Sequence, residues 1–182
     1  MLMKKESSGL LLVDVQEKLT PHVLQPEQLL SRCAWLMRLA KAVDVPVLIS
    51  EQYPSGLGRT VESLRTLVTP YSPIEKVHFS CYRSSPLVEQ WQKLGKKQFV
   101  IAGIETHVCI LQTALDIQLH TDNEVFVVVD AVSARSELDH KYGLKRMKQA
   151  GIQLVTSEMV FFEWVECAGT QEFKALSQAF LR

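Results

Sequence analysis

Short, strongly apolar runs alternate along this chain with longer segments in which apolar residues recur every three or four positions. Six runs have strand length: residues 10–15, 46–50, 74–78, 99–103, 125–130 and 152–156. Those around Val47, Phe99 and Val125 are apolar at consecutive positions. Both faces of such strands must be covered, as in a parallel sheet with helices on its two sides. Residues 27–43 place Leu29, Leu30, Cys33, Leu36, Met37 and Ala40 at helical spacing. Residues 86–94, 107–120, 139–150 and 171–181 obey the same rule. Gly95 and Gly151 stand just past two of these segments, where a left-handed C-terminal cap favours glycine. Strand–helix–strand repetition calls for parallel pairing through right-handed crossovers. The pattern predicts one domain over residues 1–182: a three-layer α/β/α sandwich on a central, mostly parallel sheet of about six strands. Residues 51–61 break the pattern, because Pro54, Ser55, Gly56 and Gly58 cluster there as in a loop.

Composition narrows the function classes. Hydrophobic residues make up 47% and charged residues 22% of the chain, the balance of an ordinary globular protein. Twenty basic side chains face twenty acidic ones. A net charge of zero lacks the basic excess that nucleic acid or an anionic membrane surface attracts. No apolar run approaches the roughly 18 residues of a membrane span. Lys4 and Lys5 before Leu10-Leu-Leu-Val13 mimic a secretory leader, but Asp14 ends the run early and no small-residue cleavage site comes after it. A cytoplasmic location is therefore expected. Cys33, Cys81, Cys109 and Cys167 are widely spaced without a C-x-x-C pair, which favours free thiols over disulfides.

In open parallel sheets, ligands bind beyond the carboxyl ends of the strands. Asp14 closes the first predicted strand, Glu51 comes just after the second, Lys76 lies in the third, and Cys109 is a short turn beyond the fourth. A thiol in the first turn of a helix feels the positive end of the macrodipole and unpaired backbone N–H groups, which favour thiolate. The same N–H groups are suited to a developing oxyanion. The milder reading of Cys109 is a small buried residue packing helix on sheet. Asp14 can equally cap a helix, and Lys76 can be a solvated residue at a strand edge. No Arg lies six residues after any cysteine, which argues against a phosphatase loop, and no G-x-S-x-G elbow occurs.

Several segments, in order, resemble those of the isochorismatase-like cysteine hydrolases. Gly103-Ile-Glu-Thr-His-Val-Cys-Ile-Leu-Gln-Thr-Ala-Leu115 is similar to the family's nucleophile segment, especially in the isochorismatase-domain-containing subgroup. Leu11-Leu-Val-Asp-Val-Gln16 resembles the first strand with its D-x-Q ending. Ser50-Glu-Gln-Tyr-Pro-Ser-Gly-Leu-Gly58 resembles the subgroup's loop after the second strand, and Lys76-Val-His-Phe-Ser-Cys-Tyr82 the K-x-x-F-S lysine segment. Asp130-Ala-Val-Ser-Ala-Arg135 and the stretch from Arg146 to Glu158 match later segments. The likeness covers about residues 10–164. It implies a catalytic triad of Asp14, Lys76 and Cys109, with Asp14 as general base and Lys76 holding positive charge beside the thiolate. It also implies a cis peptide between Ile104 and Glu105, and an oxyanion hole from the backbone N–H groups of Glu105 and Cys109. The Glu105 side chain is expected to orient neighbours through a hydrogen bond.

Nicotinamidases, another branch, hold a divalent metal with an Asp-x-His element and a further His. Here the corresponding residues are Glu51-Gln-Tyr53, poor zinc ligands apart from Glu51. No metal and no other cofactor is expected. Gln16, Tyr53, Phe79, Tyr82 and Arg135 are candidate pocket residues, with Arg135 paired to a carboxylate of either substrate or protein. Core or subunit packing is the competing reading for the aromatics. The resemblance implies a small-molecule substrate with an amide-type C–N bond, cleaved through a thioester. Two alternatives stay open: a vestigial domain kept for protein interaction, and a nicotinamidase-like amidase. The resemblance further implies a homo-oligomer, and Met159-Val-Phe-Phe-Glu-Trp-Val165 is a candidate interface or a buried final helix.

Overall fold

The computed structural model describes residues 1–181. In chain order its elements are β1 (Ser8–Val13), α1 (Pro26–Ala42), β2 (Val47–Gln52), α2 (Pro54–Leu57), α3 (Glu62–Arg65) and β3 (Ile74–Lys76). They continue with α4 (Ser85–Leu94), β4 (Gln98–Ile104), a π-helical turn (Thr106–Ile110), α5 (Leu111–His120), β5 (Glu124–Ser133), α6 (Glu137–Gln149), β6 (Gln153–Val155), α7 (Ser157–Val165) and α8 (Gln171–Phe180). Each of the six predicted strands is present, with ends shifted by at most three residues.

The sheet order is β3-β2-β1-β4-β5-β6, and every pairing is parallel. Alternate residues of the same strand enter different cores, because successive strand side chains point to opposite faces. Leu10 and Leu12 of β1, with Val100 and Ala102 of β4, pack under α1, α7 and α8. Leu11, Val13, Phe99 and Ile101 face the other way, under α4, α5 and α6. This is the expected three-layer sandwich. Strand order reverses between β1 and β4, so a crevice is expected at the carboxyl ends of those two strands.

Two local features shape that crevice. Val13 pairs with Gly103 across the switch point, and a Cβ at Gly103 would collide with the Val13 carbonyl oxygen. Its φ of +118° is a conformation that L side chains rarely adopt, so glycine alone fits. The register of β4 against β5 also shifts between Ile101 and Gly103. Such a bulge bends the strand and re-aims the chain beyond it, here the segment carrying Cys109. The Ile104–Glu105 peptide is cis, as the resemblance implied, and Thr69–Pro70 is a second cis bond.

Candidate active site

Asp14 lies just past the last residue of β1 in the left-handed region, at φ 52°. Asp tolerates that region better than most residues. Its N–H donates to the Ser50 carbonyl (3.1 Å), and its own carbonyl accepts from Gln16 N–H (2.8 Å). The reversal turns the carboxylate into the sheet end, 1% exposed. Lys76 ends β3, in register with Gln52 of β2. Its ammonium lies 2.7 Å from Asp14 Oδ2, 2.6 Å from Gln52 Oε1, 3.1 Å from the Phe79 carbonyl and 3.6 Å from Cys109 Sγ. Asp14, Lys76 and Cys109, far apart in sequence, therefore form one buried cluster.

The electrostatics stem from that burial. Desolvation works against the Lys76 ammonium, but attraction to Asp14, with smaller contributions from Cys81 and Cys109, outweighs it and holds its pKa above the ordinary value. Lys76 is thus a fixed positive charge and not a proton acceptor. The Cys109 thiol is pushed upward, first by burial and then by the Asp14 charge, with Lys76 pulling the other way. This corrects the helix-start expectation of a lowered thiol pKa. The macrodipole effect is modest, whereas a neighbouring carboxylate and loss of water both penalise thiolate directly.

The helix start also differs in kind. Cys109 sits in a π turn, not an α-helical first turn. The Glu105 carbonyl accepts from Val108 N–H (3.0 Å) and Ile110 N–H (3.2 Å), skipping the Cys109 N–H between them. Helix α6 supports this turn closely. A Cβ at Gly143 would stand 3.2 Å from His107 Cα, and Thr106 Oγ1 lies 2.9 Å from His140 Nδ1. Burial lowers the pKa of His140, which favours a neutral ring there.

The other expected site residues have mixed fates. Arg135 Nε is 2.9 Å from Glu105 Oε2, so its carboxylate partner here is a protein one. Gln16 is not a pocket residue. Its amide donates to the carbonyls of Gln52 and Gly58 and accepts from Gln52 N–H, tying β1 to β2 and its loop. Tyr82 stacks on His120 at 5.8 Å instead of reaching the cluster. Tyr53 and Phe79 are both more than half exposed. Tyr53 walls a cleft of about 400 Å³ beside the β3 end, with Pro54, Lys76, Val77 and His78. The Phe79 contribution to the cluster is its backbone carbonyl. The Glu51 carboxylate is engaged by Thr60 N–H (2.5 Å), Thr60 Oγ1 (2.9 Å) and the Tyr71 hydroxyl, so it is committed to loop structure.

Three contributors escaped sequence reading. Gln52 anchors Lys76, Ser50 donates to Asp14 Oδ1 (2.7 Å), and the Cys81 thiol donates to Ser50 Oγ (3.4 Å). The only signal for Ser50 was its place at a predicted strand end. Its register opposite Val13, beside Asp14, emerges only from the fold.

Comparison with known proteins adds kinship to this geometry. An isochorismatase domain model matches residues 8–159. Isochorismatase domain-containing protein 2A of Mus musculus is 40% identical over 176 residues, covering 95% of this chain and 82% of the relative. A Caenorhabditis elegans structure described as MAR1 ribonuclease is 33% identical, with a TM-score of 0.91 over 100% of this chain and 93% of that one. The YcaC gene product of Escherichia coli, described as an octameric hydrolase of unknown specificity, is 27% identical, with a TM-score of 0.91 over 100% and 91% of the two chains. The chain belongs to the isochorismatase family.

Proposed function

We propose that this protein is a metal-independent cysteine hydrolase that cleaves an amide-type C–N bond of a small acyl compound. The observation carrying this reading is the buried contact of Lys76 Nζ with both Asp14 Oδ2, at 2.7 Å, and Cys109 Sγ, at 3.6 Å. In the first half-reaction Cys109 Sγ attacks the carbonyl carbon. Its proton passes to Asp14, and the carbonyl π pair moves onto oxygen. Lys76 offsets the charge gathering on sulfur. The backbone N–H groups of Cys109 and Glu105 serve as oxyanion donors, each worth on the order of 3 kcal/mol of barrier. Asp14 returns the proton to the leaving nitrogen as the C–N bond breaks, giving a thioester and ammonia or an amine. Water, deprotonated by Asp14, then hydrolyses the thioester and regenerates the thiol.

A resting thiol suits this cycle, because the proton that Asp14 must deliver to the leaving group is already in the cluster. Ribonuclease chemistry, as named for the C. elegans relative, fits this chain poorly. Equal numbers of acidic and basic residues offer no basic excess for a phosphate backbone. The test is an ammonia-release screen over small amides, comparing the wild type with Cys109→Ala. Turnover is expected from the wild type alone, and activity surviving the substitution sinks the covalent mechanism.

The proposal extends to a homo-oligomer of this chain. The E. coli relative is described as an octamer. Helix α7 buries Val160, Phe161, Trp164 and Val165 but leaves Met159 and Phe162 about half exposed, an apolar edge suited to a second copy. Sedimentation equilibrium is expected to return a multiple of the chain mass, and a monomer at micromolar concentration contradicts this extension.

A further inference from the structure

Two buried groups that the proposed chemistry does not use, Ser50 and Cys81, are joined in a line that ends on the general base. Ser50 is 0% exposed and its hydroxyl lies 2.7 Å from Asp14 Oδ1, the carboxylate oxygen turned away from Lys76. A hydroxyl has one proton to donate. The Cys81 thiol, also 0% exposed, approaches Ser50 Oγ as a donor at 3.4 Å, and Cys81 N–H is itself fixed by Thr113 Oγ1 at 2.8 Å. The serine oxygen therefore accepts from Cys81, and its own proton is directed to Asp14. Burial first, and then the Asp14 charge, push the Cys81 thiol up to about 11, so it remains a donor at neutral pH.

We propose that Ser50, oriented by Cys81, is a positioning residue that keeps the shared proton on Cys109 and the negative charge on Asp14, so that the nucleophile rests as a thiol until substrate arrives. This rests on the Asp14–Cys109 partnership proposed above. The groups facing Asp14 are Lys76 from β3, Cys109 from the π turn, Ser50 from β2 and, through Ser50, Cys81 from the turn before α4. Two protonation arrangements of equal net charge compete: carboxylate with thiol, or carboxylic acid with thiolate. A hydrogen bond to the charged carboxylate favours the first. The consequence is protective, since a permanently ionised thiolate is open to indiscriminate alkylation and oxidation.

The test uses iodoacetamide, with peptide mass mapping to track Cys109 apart from the exposed Cys167. In alkylation the sulfur–carbon bond forms, iodide leaves with the carbon–iodine pair, and the thiol proton ends on Asp14. Ser50→Ala is expected to speed Cys109 alkylation roughly tenfold at pH 7, the size of one lost charge-assisted hydrogen bond. Ser50→Thr, which keeps the hydroxyl, restores the slow rate. In an Asp14→Asn background the Ser50→Ala acceleration disappears, whereas mere loosening of the fold speeds alkylation in both backgrounds and overturns the proposal. If Ser50→Ala does not fold, Ser50→Cys, a weaker donor, accelerates in the same direction. An unchanged or slower rate in the folded variant likewise overturns it. None of these readouts needs turnover, so the ammonia screen with Cys109→Ala judges the hydrolase reading separately.

Discussion

Lys76→Met is expected to lower unfolding free energy by roughly 3–5 kcal/mol, the cost of removing one member of a buried ion pair. Global stability is only about 5–15 kcal/mol for a typical domain, so the change is large. Both partner side chains are almost wholly inaccessible to water, at 0% and 1%. Without the ammonium, the Asp14 carboxylate keeps the Ser50 hydroxyl but loses its counter-charge. Gln52 Oε1 and the carbonyls of His78 and Phe79 lose their donor as well. Adding Asp14→Asn removes the stranded charge but not those three orphaned acceptors. The double variant is therefore expected to recover more than about 1 kcal/mol of the loss, without reaching wild type. Urea denaturation measures both values. A loss below about 1 kcal/mol for Lys76→Met would show that water reaches the cluster and that the pair is not truly buried.

Asp14→Asn alone is expected to move two activities in opposite directions. Cys109 keeps its proton first through burial and then through the Asp14 charge, while Lys76 favours ionisation. Removing the carboxylate leaves Lys76 unopposed, so the thiol pKa falls and more thiolate is present at any pH below it. Alkylation by iodoacetamide should rise roughly tenfold or more near pH 8, since a nearby charge is typically worth one to three pKa units. Amide hydrolysis should fall by about 10²–10⁴-fold, the usual contribution of a general acid–base group, because no residue then carries the proton to the leaving nitrogen. Slower alkylation in this variant would mean that Asp14 promotes thiolate in the resting protein, against the account of a resting thiol.

The sequence carried the fold well for a physical reason. A parallel sheet covered on both faces needs uninterrupted apolar runs in its central strands, and those around Val47, Phe99 and Val125 announced themselves that way, while Ile74–Lys76 and Gln153–Val155 at the sheet edges are short and interrupted by polar residues. Helix α7 did not. Met159, Val160, Phe161, Phe162, Trp164 and Val165 are apolar nearly all round, so the stretch shows no helical period. β5 ran past its expected end at Asp130, whose carboxylate accepts from Ser157 N–H and Ser157 Oγ and so sits comfortably within a strand.

At the site, motif likeness could nominate Asp14, Lys76 and Cys109, because strand-end position and residue type travel together in a local segment. Register is not local. Nothing in residues 46–50 says that Ser50 will stand beside Asp14, nor in residues 76–82 that Cys81 will stand beside Ser50. Side-chain direction was equally hidden. Tyr82 faces His120, and Gln16 is consumed by the backbone of the β2 end. The thiol pKa departs from expectation because helix-start chemistry is visible in sequence, whereas desolvation and a carboxylate from another strand are not.

The central claim is that Cys109 forms the covalent bond to the acyl group. Acid quenching during turnover of an amide from the ammonia screen, and then intact and peptide mass measurement, addresses it most directly. The account predicts an added mass equal to the acyl group on the Cys109 peptide, labile to hydroxylamine as a thioester is, with neither adduct nor ammonia from Cys109→Ala. Ammonia release that continues in Cys109→Ala, or an acyl group found on any other residue, would contradict it.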